Sequence, residues 1–442
     1  MILSGWGRYP RVDCRLIGAR GESEVRAALG REMRLIARGN GRSYGDSALN
    51  PAATLSLRPS DRLIAFDAAT GRLTCEAGAL LSDILEIFVA RGWFPPVTPG
   101  TKFVTVGGMI AADVHGKNHH GAGTFGDHVE SLDLALADGR VVRCSAAENA
   151  ELFEATRGGM GLTGVILRAS FRMQPIETAT MRQETLRAAN LDAAMELFER
   201  SQSWTHSVAW IDCLASGSAL GRSLFYRSEH ARIDELPAAD RSAPLALPSR
   251  TPHRVPIDFP SFVLNRWSVA AFNELYYRRA RLGTELVDYD TFFYPLDAVL
   301  EWNRVYGKAG FVQYQCVLPK EASRAGLTAL LERIRAAGIG PFLSVLKLFG
   351  RQRGLLSFPI EGYTLALDFQ AKPKVFELLD ALDGIVADHG GRVYLAKDAR
   401  LGAAMMKRFY GGAGALERFS SLRARFDPTG KFASLQSQRL EL

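Results

Sequence analysis

Apolar and polar positions along the chain fall into two rhythms that exchange every ten to twenty residues. Gly21–Glu32 (GESEVRAALGRE) has the spacing of an amphipathic helix with an acidic first turn, and the apolar run MRLIARG (33–39) predicts a short buried strand. Residues 63–67 and 73–78 read as strands around the turn Ala69-Thr70-Gly71. LLSDILEIFVA (80–90) returns to helical spacing and stops at Gly92, in place for a C-cap. Residues 129–145 predict a hairpin turning at Asp138-Gly139. Helix is expected over 147–158 and strand over 165–173. Further on, HSVAWIDC, RSLFYRS, FVQYQCVLP and YTLALDF alternate as antiparallel strands of a second sheet do. Residues 327–338 and 374–390 are amphipathic helices, RVYLAK (392–397) reads as a strand that ends at Lys397, and 408–428 reads as helical. Paired strands joined by tight turns, with single helices between, define an α+β chain rather than a doubly wound βαβ repeat. The last fifty residues return to the style of the first part, so a split domain is expected. Residues 1–178 and 393–442 form one unit, and 179–392 are inserted as a second, built on an antiparallel sheet.

A length of 442 residues fits two domains. The net charge of +7 is scattered, which suits anionic partners but lacks the basic stripe with interleaved aromatics that nucleic-acid binding needs. Cys14, Cys75, Cys144, Cys213 and Cys316 are odd in number and widely spaced, so neither a zinc site nor a disulfide framework is expected. The sequence contains no run of about 18 apolar residues and no secretory-type leader, which places the chain on the cytoplasmic side by default. Six of the 19 prolines lie between Pro237 and Pro260, marking an irregular segment of the kind that forms lids.

Candidate chemistry concentrates in Pro99–Gly126 (PGTKFVTVGGMIAADVHGKNHHGAGTFG), which has neither period and is expected to be one long, tightly folded loop. Its seven glycines offer close backbone approach, and Gly107-Gly108 with small neighbours could present N–H groups to an anion. Gly159-Met160-Gly161-Leu162-Thr163-Gly164 matches GxGxxG formally. It follows a helix and precedes a strand, the reverse of a nicotinamide-dinucleotide fingerprint, so it is read as a corner.

RGNGRSYGD (38–46), the loop from Thr98 to Val129 and ELFEATRGGMGLTGV resemble the FAD domain of the vanillyl-alcohol-oxidase-like flavoproteins. WNRVYGKAGFVQYQCVLP, LSVLKLFG, LSFPIEGYTLALDF, GGRVYLAKDAR and FDPTGKFAS narrow the resemblance to the decaprenylphosphoryl-β-D-ribose 2′-oxidase group, over nearly the whole chain. That resemblance implies a two-domain flavoprotein that oxidises the 2′-hydroxyl of a polyprenyl-phosphoryl-β-D-ribose to the 2′-keto sugar. This is the first half of epimerisation to an arabinan precursor of the cell envelope. A separate NAD(P)H-dependent short-chain reductase would complete the reaction, and contact with the inner membrane would be peripheral. An aldonolactone or alditol oxidase is the alternative within the superfamily.

Residue by residue, the resemblance assigns the FAD site to Gly39, Asn40, Gly41, Arg42, Ser43, Tyr44 and Gly45 in the first turn. The loop adds Thr98, Pro99, Gly100, Thr105, Val106, Gly107, Gly108, Ala112, His115, Gly116, Asn118 and Gly121. Gly164, Val165 and Ile166 come from the corner, and Tyr394 and Lys397 from the C-terminal part. Successive N–H groups of Gly39–Gly45 and of Thr105–Gly108 are expected to hold the pyrophosphate. Arg42 stands where many relatives carry the histidine that bonds to the flavin, so the FAD is expected to be non-covalent. Lys397, Tyr394 and His115 are the catalytic candidates; a lysine beside the flavin favours its anionic reduced form. His119, His120 and His128 are expected to hydrogen-bond within the loop, and no metal is expected. Gln313 and Gln315 share one strand face, suited to a polyhydroxylated sugar. Lys347 would meet the substrate phosphate, Trp210 would supply a flat apolar wall, and Lys117 would meet the substrate. Thr364 and Ala366 replace an asparagine and a cysteine of the mycobacterial-type enzymes. The cysteine is where nitro-aromatic inhibitors attach covalently, so only reversible inhibition is expected here.

Overall fold

The computed structural model describes residues 1–247, 252–260 and 262–442. The part of the proline-rich segment around Pro248 lies outside the described residues. The fold is α+β. Its first half contains an antiparallel five-stranded sheet in the order Val141–Ser145, Val129–Ala135, Val165–Arg172, Arg72–Glu76, Leu63–Asp67. Both predicted hairpins are in it, because turns at Gly71 and Gly139 take the positive φ that glycine accepts without a Cβ clash. Beside it, Leu16–Gly18, Thr54–Ser56 and Ile36–Arg38 form a small parallel sheet. The helices Gly21–Arg31 and Leu81–Val89 bury Val25, Ala28 and Leu29, and Ile84, Leu85 and Phe88, as their spacing demands.

The second half is one eight-stranded sheet. Its order is Gly283–Asp288, Thr180–Ala188, Ser223–His230, His206–Ile211, Ser344–Phe349, Gly362–Gln370, Phe311–Pro319, Arg392–Val393. The helices Lys320–Ala337 and Pro373–Asp388 cover one face through Leu327, Leu330, Leu331, Leu378 and Leu382. The C-terminal residues rejoin the first half, where the Leu35 N–H donates to the Lys431 carbonyl and Ala433 N–H to Leu35. Met406, Phe409 and Phe419 meanwhile pack into the core beneath the large sheet.

Three expectations are corrected. The stretch Pro99–Gly126 is not one loop: it contains the helices Val106–Ala111 and His119–Ala122 and enters the 3₁₀ turn Phe125–His128. Local caps decide this, since Thr105 Oγ1 accepts from the Gly108 N–H, and Thr124 and Asp127 form a capping box. The C-terminal helix is two helices, Ala403–Tyr410 and Ala415–Phe426, broken where Gly414 takes φ +69°. Lys397 does not end a long strand; the strand is only Arg392–Val393, and Lys397 sits on the turn after it, its N–H donating to the Tyr394 carbonyl. The helices Leu191–Arg200 and Arg266–Arg279 were not expected at all.

Candidate active site

Alternation in the strand Gly362–Gln370 sends Tyr363, Leu365, Leu367 and Phe369 toward the helices, and Thr364, Ala366 and Asp368 to the opposite face. Register extends that face across the sheet. Gln313 lies opposite Asp368, Gln315 and Val345 opposite Ala366, Lys347 opposite Thr364, and Trp210 opposite Val345. This face forms one wall of a cavity of about 730 Å³, within the ~300–1,000 Å³ usual for small-molecule sites.

The structure brings most of the expected residues to that cavity. Gly39 to Tyr44, Pro99, Gly100, Thr105, Gly107, Gly108, Ala112, Gly164 and Ile166 line it from the first half of the chain. His115, Lys117, Trp210, Gln313, Gln315, Lys347, Ala366, Tyr394 and Lys397 complete it. Eight others stand outside the lining. Gly45 packs against the Asp398 carbonyl, where no Cβ fits. Val106 and Val165 are core. Thr98 hydrogen-bonds Tyr294 at 2.5 Å, and Asn118 donates to the Pro96 carbonyl, with Gly116 packed against its side chain. Thr364 is buried beneath the wall, donating to the Cys316 carbonyl and accepting from Gln315. Gly121 is exposed.

The two glycine segments differ in what they can hold. The N–H groups of Val106 and Gly107 donate to the Ala79 and Ala77 carbonyls at 3.0 and 2.8 Å, and that of Gly108 to Thr105. The expectation that Thr105–Gly108 presents successive N–H groups to a pyrophosphate is therefore overturned, because those donors are spent on the cap and on the neighbouring segment. Along Asn40–Ser43 the backbone N–H groups have no partner among the described residues. Gly41 bends the turn with φ +64°, and Gly39 lies so close to the Thr105 hydroxyl that a Cβ would overlap it.

Charge sharpens the picture. Among the described residues the lining carries Arg38, Arg42, Lys117, Lys347 and Lys397 against one carboxylate, Asp297. Arg42 stacks over Trp6, 4.0 Å from the ring centroid. Burial, with Lys347 repelling, pulls Lys117 down to about 7, and burial alone pulls Lys347 down to about 8. Burial also lowers Lys397, against the opposing pull of the Asp368 carboxylate, while burial raises Asp368. The Lys397 ammonium sits 3.9 Å over the Tyr44 ring. Asp368, which accepts from Gln313 at 2.5 Å, was missed by the sequence reading. It continues the Thr364–Ala366 alternation by one step, and that spacing was the available signal.

His115 is buried among Phe349, Phe358 and Tyr394. Gln315 Nε2 donates to its Nε2 at 2.9 Å, and its Nδ1 has no partner. Desolvation first, then the charges of Lys347, His119 and Lys397, hold it well below the ordinary imidazole range. Tyr394 donates its phenol proton to the Ala112 carbonyl at 2.7 Å, which leaves only its lone pairs free, and burial raises its pKa well above the ordinary phenol range. Of the other histidines only His128 hydrogen-bonds within the loop as expected, with the Ala122 carbonyl; His119 instead meets Gln352 and Gly350, and His120 the Trp204 carbonyl, because the loop packs against those segments.

Unpartnered N–H groups on one wall, excess cations around the cavity and apolar ring surface beside His115 fit a large anionic cofactor with a flat ring, and FAD is such a group. Residues 21–145 match the family of FAD binding domains, and the chain is an FAD-dependent oxidoreductase. Over 453 aligned positions, 100% of this chain and 97% of the relative, it is 38% identical to decaprenylphosphoryl-beta-D-ribose oxidase of Mycolicibacterium smegmatis. The chain belongs to the decaprenylphosphoryl-β-D-ribose oxidase family. Mouse L-gulonolactone oxidase is 32% identical over 31% of this chain and 31% of its own. Human Delta(24)-sterol reductase is 30% identical over 29% of this chain and 25% of its own.

Proposed function

We propose that the chain oxidises the 2′-hydroxyl of a polyprenyl-phosphoryl-β-D-ribose to the 2′-keto sugar. The observation that carries this reading is the cavity wall itself, where two glutamines suited to a sugar stand two strands from Lys347, a buried cation suited to a phosphate. FAD supplies the acceptor for the two electrons and the carbon-bound hydrogen. Asn40–Ser43 hold its pyrophosphate, and Arg42, which cannot form the bond a histidine forms, leaves it non-covalent. Lys397 is the base. Its lowered pKa gives a neutral amine near physiological pH, whereas His115 is too weakly basic and Tyr394 too weakly acidic and already hydrogen-bonded. Gln313 and Gln315 bind the sugar hydroxyls, Lys117 and Lys347 the phosphate, and Trp210 the apolar side. Residues 1–178 with 393–442 act as the cofactor domain, and 179–392 as the substrate domain.

A separate NAD(P)H-dependent reductase consumes the ketone. Among the described residues no helix is long and apolar enough to cross a membrane. Peripheral contact is supported by Ile257, Phe262 and Trp267, exposed beside Arg266, Arg278 and Arg279. Mass spectrometry of the sugar lipid after turnover with an artificial acceptor tests the reading. Loss of two hydrogens from the ribose supports it; oxidation of aldonolactones or alditols, with the sugar lipid untouched, overturns it.

A further inference from the structure

Beyond the first cavity lies a second, of about 390 Å³. Tyr226, Phe272 and Tyr276 line both, and Leu275 and Arg281 line the second alone. The Tyr226 and Tyr276 hydroxyls meet at 3.0 Å, so this pair marks the passage between the two spaces. Rings continue through it: Trp210 packs edge-on against Tyr276 at 5.0 Å, and Phe272 stacks on Tyr276 at 5.7 Å. On the far side Leu275 is 50% exposed, and the helix Arg266–Arg279 that carries it buries only Val269 and Asn273.

Strand order gives this arrangement a direction. Neighbouring strands, roughly 4.8 Å apart, present Gln315, then Ala366, then Val345 and Lys347, then Trp210, then Tyr226, then Thr185. A polyprenyl-phosphoryl sugar has the same linear order: polar ring, phosphate, hydrocarbon. Lys347 and Tyr226 stand two strands apart, roughly 10 Å, which about two isoprene units span; we propose that the second cavity binds the isoprene units of the substrate's tail beyond the second, entered between Tyr226 and Tyr276. This rests on the reading of the substrate as a polyprenyl-phosphoryl-ribose. It identifies a lipid subsite separate from the sugar and cofactor contacts, formed largely by the helix Arg266–Arg279 and the strands Thr180–Ala188 and Ser223–His230.

The test compares decaprenylphosphoryl- and nerylphosphoryl-β-D-ribose as substrates of the holoenzyme in one detergent, and measures calorimetric binding of sugar-free decaprenyl phosphate. Leu275→Glu should raise the ratio of the two KM values, long over short, about ten-fold, and weaken decaprenyl phosphate to the same degree. Ile64→Glu, an equally exposed apolar position in the other half of the chain, should leave the ratio as in the wild type. An unchanged ratio and unchanged decaprenyl phosphate binding in a Leu275→Glu protein that retains FAD absorbance would overturn the lipid subsite alone. If Leu275→Glu does not fold, equal binding of decaprenyl and neryl phosphate by the wild type overturns it instead. A wild type that oxidises neither sugar lipid overturns the functional reading first, and the subsite with it.

Discussion

Across the cavity, the turn Asn40–Ser43 presents backbone, whereas the strands Phe311–Pro319, Ser344–Phe349 and His206–Ile211 present side chains. The first wall offers N–H groups that any diphosphate could accept, and its shape depends on glycine at 39 and 41. The second offers Gln313, Gln315, Lys347 and Trp210 in a fixed rank set by strand register. On the proposed reading cofactor recognition is generic and substrate recognition particular, and substitutions should separate them. A change on the strand wall should spare FAD uptake, and a change in the turn should weaken it.

The largest effect is expected at Lys397. Lys397→Ala should lower the rate of substrate oxidation by about 10²–10⁴-fold while the protein still purifies yellow; rapid-mixing absorbance measures both. Gln315→Leu leaves a sugar hydroxyl and His115 Nε2 without a donor, a loss of about 1–3 kcal/mol in kcat/KM. Gly41→Ala forces a side chain into φ +64° beside the Arg38 guanidinium and should weaken FAD about ten-fold, read by fluorescence titration. A Gly41→Ala protein with unchanged FAD affinity but impaired sugar-lipid oxidation would reverse the division between the walls.

Two smaller effects concern charge. If neutral Lys397 is the base, kcat/KM rises with pH through its folded pKa. Asp368→Asn removes the carboxylate that opposes the depression, so the acid limb should move to lower pH. In the cofactor-free chain, Lys117 near 7 and Lys347 near 8 lie below their ordinary 10.5. The unfolded chain then binds more protons than the folded one between those values, so their contribution makes stability rise with pH across that window. Below about pH 7 both are charged in both states and the destabilisation is complete. Denaturant midpoints at pH 7 and pH 9 should show the increase.

The contrast between the walls also explains what could be read from residues alone. The strand YTLALDF was legible, with its two faces, because alternation is local. The pairing of Gln315 with Ala366, and of Lys347 with Thr364, was not legible, because register joins residues far apart in the chain. The glycines of GNGRSYGD made a turn legible there, but not that the Tyr44 N–H, expected among its free donors, is taken by the Ala396 carbonyl. Nothing local showed that the donors of Val106 and Gly107 are taken by Ala79 and Ala77, some thirty residues earlier in the chain. The helices within Pro99–Gly126 were hidden because six- and four-residue segments carry too little period, and a side-chain cap, that of Thr105, marks only the first of them. Ala366 lines the cavity. Cys316, on the adjacent strand, is buried in the core on the helix side, so a nitro-aromatic inhibitor should leave the intact mass of the protein unchanged.

The central claim is that this cavity delivers the ribose of a sugar lipid to FAD with Lys397 as base. On rapid anaerobic mixing with polyprenyl-phosphoryl-β-D-ribose, the flavin absorbance of the purified holoenzyme should bleach about 10²–10⁴-fold faster in the wild type than in Lys397→Ala. Bleaching of both proteins at equal rates, or of neither, would contradict it.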